Sequence, residues 1–325
     1  CEGTVQAWVY LVTGGCGFVG ERIVELLSQQ DYIKEVRVFD SVAREEVEKF
    51  TPTRVTVMRG DIRDPGALLA AMRGVHVVLH TAAVVDYRNM VSFWEMRAVN
   101  VGGTENVVRA CCALSIPYLL YTSSIAAVGP NTSCEPLLRG NEDTQYTGEV
   151  ELPYGKTKAM AEKIVLEANG AKVQNPVVAP LELQHRAGER GRWKNPTAPG
   201  CRNHTYVGNV AWMHVLAARH LQLKAELLAG QVYYCYDDTP SRKGFLVRHQ
   251  LLSSADPSLR LGSHIPYWKM WLMIQLHRII RTDKASRHFG YKPLFTWQES
   301  RLRTAQWLKA AAGSLGPPQL HEKKN

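Results

Sequence analysis

Long apolar runs are scarce in this 325-residue chain. The most hydrophobic stretch, Ile265–Ile280 (IPYWKMWLMIQLHRII), carries Lys269, His277 and Arg278. It is shorter than the roughly 20 mostly apolar residues that a spanning helix needs. Its Trp and Tyr residues with neighbouring bases suit a helix lying in a membrane interface, or equally a half-buried helix of a soluble domain. Paired cysteine spacing is also lacking. The seven cysteines show no CxxC, and no secretory signal precedes them, so we expect reduced thiols, with Cys111 and Cys112 side by side on a helix. The histidines lack metal-ligand spacing, which argues against a metal site and leaves His80 and the others as structural or surface residues. An arginine-rich run with interleaved aromatics is missing too, so nucleic acid is not an expected partner. The chain opens on Cys1 rather than Met, and its natural start is expected upstream.

What is present is an ordinary globular composition, 45% hydrophobic and 21% charged, with an uneven charge. Residues 1–170 hold 16 Lys+Arg against 21 Asp+Glu, a net −5; residues 171–325 hold 23 against 9, a net +14. A basic second half suits an anionic lipid surface.

The densest signal is TGGCGFVG at residues 13–20, which follows the apolar run Trp8–Val12 and opens a helical stretch from Phe18 to Gln29. Glycines at a strand-to-helix turn aim free N–H groups and the positive end of a helix dipole at a pyrophosphate. Gly14 permits the tight turn, Gly17 the approach of the phosphates, and Gly20 close packing of helix on strand. Phe18, at the head of the helix, is counted with these cofactor contacts. A second strand, Glu35–Asp40, ends in a carboxylate able to accept the adenosine ribose hydroxyls and to repel a 2′-phosphate, which favours NAD. A third strand, Arg54–Arg59, leads to Asp61, an adenine contact or else a cap for the helix after Pro65. A fourth, His76–His80, leads to Thr81-Ala82-Ala83, small enough for a dinucleotide to cross at Ala82.

A helical stretch from about Val91 to Cys112 and a fifth strand, Tyr118–Thr122, continue the alternation, and a long loop, Gly129–Pro153, precedes a helix over Tyr154–Ala168. The expected fold class is α/β, a doubly wound parallel sheet of the Rossmann type, with a smaller, irregular C-terminal substrate region. Boundaries are expected at 1–173 for the nucleotide-binding domain, 174–204 for a loop-rich insert and 205–325 for the C-terminal region. Within the insert, Val177–Leu183 supplies at most a sixth strand; beyond it come an amphipathic helix in TYVGNVAWMHVLAARHL, a strand at Gly230–Tyr236 and an irregular stretch over 237–263. Asn100, inside a helix, either reaches the neighbouring catalytic strand or faces solvent.

Tyr154 and Lys158 stand four apart, hence on one helix face one turn apart. An ammonium beside a phenol favours the phenolate, and a tuned phenol can exchange a proton with an alcohol or carbonyl oxygen. Lys158 can also hold the nicotinamide ribose. Ser124, at the end of the strand thirty residues upstream of Tyr154, can bond the same substrate oxygen.

With these motifs the chain resembles the extended short-chain dehydrogenase/reductases, and among them the 3β-hydroxysteroid dehydrogenase/isomerase family. The resemblance is carried by LVTGGCGFVGERIV, HTAAVVD, VNVGGTENVVRAC, YTSSIAAVGPN, PYGKTKAMAEKIVLEANG and YVGNVAWMHVLAAR. GNEDT and DKASRHFGY are most similar to the bile-acid branch, which oxidises 27-carbon 3β-hydroxy-Δ5-sterols. The resemblance implies Tyr154 as proton acceptor, Lys158 as its tuning group and ribose ligand, Ser124 as the holder of the sterol 3-oxygen, and Gly14, Gly17, Gly20 and Asp40 as NAD ligands. It implies oxidation to a 3-ketone, with a shift of the Δ5 bond into conjugation in some members. It further implies residence at the endoplasmic reticulum membrane with the catalytic domain on the cytoplasmic side, and a homodimer as a possible assembly. One departure stands out. Where the family carries an RPxxIYG-like loop, this chain has VVAPLELQHRAGERGRW. Two functions therefore compete: an active NAD-dependent sterol dehydrogenase, and an NAD-binding protein without turnover, the product of a splice form, a gene-model error or a decayed copy.

Overall fold

The computed structural model describes residues 8–43, 48–50, 53–87, 89–128, 142, 150, 152–170, 175–181, 205–237 and 284–314. Among the described residues, seven strands form one sheet: β1 (Trp8–Thr13), β2 (Ile33–Asp40), β3 (Glu48–Phe50), β4 (Arg54–Arg59), β5 (Val77–His80), β6 (Tyr118–Ser124) and β7 (Asn175–Leu181). Their order across the sheet is β3-β4-β2-β1-β5-β6-β7. All pairings are parallel except the short edge strand β3, which runs antiparallel to β4. The order reverses between β1 and β5, and this switch point is where a doubly wound sheet binds its ligand.

The helices are α1 (Gly20–Leu27), α2 (Pro65–Met72), α3 (Phe93–Arg97), α4 (Thr104–Ala113), α5 (Pro153–Glu167), α6 (Val207–Leu223), α7 (Ala225–Leu228), α8 (Lys284–Phe289) and α9 (Trp297–Ser314). They cover both faces of the sheet, which explains why β1 is a continuous apolar run and not an alternating one. Tyr10 and Val12 enter one core with Ile23 and Leu27 of α1 and Met213 and Ala217 of α6. Val9 and Leu11 enter the other, with Leu68 of α2, Val107 of α4 and Ala161 of α5. Burying such side chains stabilises by about 25 cal/mol per Å² of apolar surface. The C-terminal region expected from 205 onward begins with α6, and that helix is built into the core of the nucleotide-binding sheet.

Three expected elements differ in detail from those observed. The strand expected at Val177–Leu183 is found as β7, which starts two residues earlier, so residues 175–181 of the expected loop-rich insert belong to the sheet; residues 182 and 183 lie outside the described residues. Pro176 and Pro180 are tolerated there because β7 is an edge strand. Gly230–Tyr236 is not a strand: it holds a single bridge at Val232 and otherwise runs without a ladder. The helical stretch expected from about Val91 to Cys112 runs unbroken through residues 93–113, but with a π-helical segment, Ala98–Gly103, between α3 and α4. The segment 182–204, the membrane-interface stretch Ile265–Ile280 and most of Gly129–Pro153 lie outside the described residues. Among the described residues no helix is long and apolar enough to cross a membrane.

Candidate active site

Gly14 has φ +71°, a left-handed conformation that costs glycine little, and a Cβ there would stand 2.7 Å from the Ala82 Cα. The turn after β1 and the segment after β5 therefore touch at the switch point, and only a hydrogen at Gly14 permits it. At Gly20 a Cβ would fall on the Gly14 carbonyl oxygen, so the third glycine lets α1 close onto the turn. Cys16 and Gly17 face outward. Asp40 takes the Cys16 N–H at 3.0 Å and the Val42 N–H at 3.1 Å, which fixes its carboxylate beside the turn. Phe18 packs edge-on against Trp307 of α9, with ring centroids 5.5 Å apart. Asp61 holds Arg63 by a 2.6 Å ion pair, and the cap of α2 is not Asp61 but Asp64, which accepts from Gly66 and Ala67. A glycine cradle that a Cβ would fill, opening beside a fixed carboxylate, fits a dinucleotide.

The reacting groups sit one strand further, at the carboxyl end of β6. Gly155 explains how they meet. A Cβ there would strike the Ala126 carbonyl and stand 2.7 Å from Val150 Cγ1, so its absence lets the first turn of α5 press onto the short 3₁₀ helix Ile125–Ala127. That contact brings Tyr154 to Ser124. Ser124 accepts the Ala126 N–H at 3.2 Å, and its hydroxyl favours the phenolate of the neighbouring Tyr154. Tyr154 is buried with Met96 and Ala126, and the exposed Tyr87 stands edge-on to its ring at 5.0 Å.

Lys158 is 2% exposed. Its Nζ donates to the Thr122 carbonyl at 2.6 Å and lies 4.2 Å above the Tyr121 ring. Burial pulls this ammonium down to about 7, opposed by the charge of Glu162. The phenol departs from expectation. Burial, then Tyr87, pushes Tyr154 well above the ordinary phenol range, and the Ser124 hydroxyl opposes them. The Lys158 charge is spent on the Thr122 carbonyl instead of depressing the phenol in this state.

Several residues around the pair hold it in place. Asn100, in the π-helical segment, is buried, and it reaches neither β6 nor solvent. Its Oδ1 takes the Val84 N–H at 2.7 Å, and its Nδ2 donates to the Val84 carbonyl at 2.9 Å and to Thr157 Oγ1 at 3.0 Å. Thr157 in turn donates to the Tyr154 carbonyl at 2.8 Å. One amide thus ties the segment after β5 to the helix carrying Tyr154. His80 is structural. Thr104 spends its proton on the Asn100 carbonyl, so His80 Nε2–H donates to Thr104 at 2.9 Å and Nδ1 accepts from Thr13 at 2.7 Å. His214 of α6 donates Nδ1–H to the Val210 carbonyl and accepts the Thr122 hydroxyl at 2.9 Å. Burial holds both imidazoles neutral, at about 3 and about 4. The spacing of Thr157, three after Tyr154, was a usable signal; the partners of Asn100 and Thr122 lie too far along the chain to be read locally.

Fold and site together define a dinucleotide-dependent oxidoreductase of the short-chain dehydrogenase/reductase type. The model of the 3-beta hydroxysteroid dehydrogenase/isomerase family matches residues 11–180 and 194–263, and the chain belongs to that family. It is 41% identical over 362 aligned positions to the 3 beta-hydroxysteroid dehydrogenase type 7 of Homo sapiens, covering 95% of this chain and 98% of that protein. It is 40% identical over 363 positions, with the same coverage, to the type 7 enzyme of Mus musculus. Among solved structures, the UDP-glucose 4-epimerase of Thermus thermophilus in complex with NAD superposes with a TM-score of 0.68 at 21% identity, covering 93% of this chain and 99% of that one. That likeness speaks to the fold alone.

Proposed function

We propose that this protein oxidises the 3β-hydroxyl of a Δ5-sterol to the 3-ketone with NAD, in bile acid synthesis. The observation that carries the reading is the seating of Tyr154 against the 3₁₀ helix that follows Ser124, set beside the glycine turn and Asp40 in a chain with type 7 relatives. Bound NAD supplies the acceptor for the 3-hydride. Ser124 orients the sterol 3-oxygen, Tyr154 Oη takes its proton, and Lys158 holds positive charge at the end of β6, within reach of a ribose. Gly14, Gly17 and Gly20 receive the pyrophosphate, with Phe18 beside them; Asp40 takes the adenosine ribose hydroxyls, and Asp61 and Ala82 border the adenine and the nicotinamide half. The shift of the double bond from Δ5 to Δ4 forms part of the same proposal, as does peripheral residence on the cytoplasmic face of the endoplasmic reticulum through Ile265–Ile280.

A second reading, NAD binding without turnover, is favoured by the sequence that follows β7, ELQHRAGERGRW, which replaces the loop expected there. Oxidation of a 3β-hydroxy-Δ5-sterol, run beside an NAD titration, separates the two. Binding with turnover supports the first; binding alone supports the second. A conjugated enone as product identifies the isomerisation, and a plain 3-ketone rejects it. Release from membranes by alkaline carbonate supports peripheral attachment, and retention in the pellet overturns it.

A further inference from the structure

Four of the eight residues of the turn at 13–20 are glycine, so the fold has few side chains by which to hold it. Asp40 holds it from one side through the Cys16 N–H. Phe18 is its one aromatic side chain, just ahead of α1, and it meets Trp307 of α9 with the ring planes at 60°. Trp307 is 43% exposed, so the pair lies partly in water and adds little to the core by burial. The other end of α9 is anchored. Asn209 of α6, fully buried, takes the Phe295 N–H at 2.7 Å through Oδ1 and donates from Nδ2 to the Phe295 carbonyl at 3.0 Å. Tyr206 stands edge-on to the Phe295 ring at 5.3 Å, and a Cβ on Gly208 would strike both rings. From Trp297 to Trp307 the helix rises about 15 Å, with Ser300, Ala305 and Leu308 turned inward along the way. One helix thus runs from the head of α6 to the glycine turn.

We propose that α9 braces the cofactor turn, and that Trp307 is a positioning residue which holds Phe18 so that the turn keeps the shape that receives a pyrophosphate. The inference rests on the reading of residues 13–20 as the cofactor's phosphate site. The physical reason is preorganisation. A glycine-rich turn left loose must be ordered when the ligand binds, and that ordering subtracts from affinity. A ring fixed against Phe18 from a helix anchored at its far end removes part of the cost beforehand. Val19, the next residue, packs against the core under α1, so the side chains at 18 and 19 hold the turn from opposite directions, one toward the sheet and one toward α9. α9 therefore serves the cofactor although it lies almost three hundred residues downstream of the glycines.

The test is NAD affinity of the whole chain, measured by calorimetry because the altered indole is itself a fluorophore. Trp307→Ala should weaken NAD binding about three- to tenfold, the range of an aromatic pair, and Trp307→Phe, which keeps a ring, should restore most of it. ADP-ribose, which carries the pyrophosphate without the nicotinamide, should lose as much as NAD. Thermal unfolding without cofactor should leave both variants folded, with midpoints close to that of the unmodified chain. Phe18→Ala should lose affinity as well, and the double variant with Trp307→Ala should lose no more than the larger single loss. Additive losses, or a loss seen with NAD and absent with ADP-ribose, would overturn the brace. So would unmoved affinity in Trp307→Ala, whatever its midpoint, since the contact would then be merely structural. Asp40→Ala separates this from the reading of the site. Weaker NAD binding there, with none in Trp307→Ala, rejects the brace alone; unmoved affinity in both removes the turn from the cofactor site, and the brace with it.

Discussion

Ser124 stands beside Tyr154 at the carboxyl end of β6, where its Oγ accepts the Ala126 N–H at 3.2 Å and its hydroxyl favours the phenolate of Tyr154. This defines where a substrate oxygen can enter. Replacing Tyr154 by Phe should lower turnover by about 10²–10⁴-fold while NAD affinity stays within about twofold. Ser124→Ala should cost on the order of 10²-fold. Steady-state rates beside fluorescence titration check both, and an unaltered rate in Tyr154→Phe rejects the assignment.

Asp40 is held beside the glycine turn by the Cys16 N–H, which predicts a preference for NAD over NADP. Asp40→Ala should weaken NAD binding by about 10–100-fold, the range for a hydrogen bond to a charged group, and narrow the preference. Equal affinity of the unmodified chain for both cofactors would remove Asp40 from the site.

Gly155 is predicted to be intolerant of even one methyl. Gly155→Ala pushes α5 off the 3₁₀ helix and should cost roughly 1–3 kcal/mol, the usual penalty for overpacking. Turnover should fall further than NAD affinity, because the displaced contact is the one that brings Tyr154 to Ser124. Unfolding midpoints and rates are the measurements; a neutral variant would show that the helix reaches Ser124 by another route.

Acid should destabilise the fold through His80 and His214. Their folded values, about 3 and about 4, lie below the unfolded value. The unfolded chain therefore binds more protons below about pH 6.5, and stability is lost as the pH falls from there, at about 1.4 kcal/mol per unit for each ring. One unit below that point the two together should remove roughly 2–3 kcal/mol. Urea unfolding at pH 7.5 and 5.5 tests this, and coincident midpoints would contradict it.

Much of this arrangement was legible in the sequence because its signals are local. The apolar run of β1, the three glycines and the four-residue interval from Tyr154 to Lys158 each encode one element, and the structure places them at neighbouring strand ends. What escaped depends on distance along the chain or on look-alike patterns. β3 is three residues, two of them charged, and forms only because β4 offers an edge. The apolar residues of Gly230–Tyr236 read as a strand, but they bury one by one: Tyr233 bonds His288 at 2.9 Å and Cys235 meets the Tyr291 hydroxyl at 3.5 Å. The tuning of the phenol could not be read from its spacing to Lys158, since the Thr122 carbonyl that captures the ammonium lies thirty-six residues upstream.

The prolines of β7 bear on how copies of the chain can associate. Pro176 and Pro180 have the same parity, so both turn their nitrogens to one side of the strand. A proline is tolerated in an edge strand where its missing donor would have faced away from the neighbouring strand, here β6. A second molecule seeking to extend the sheet there would find two donors missing, and at the opposite margin only the three residues of β3. Among the described residues, neither margin of the sheet thus offers a long run of free donors on which a second molecule's strand could template itself.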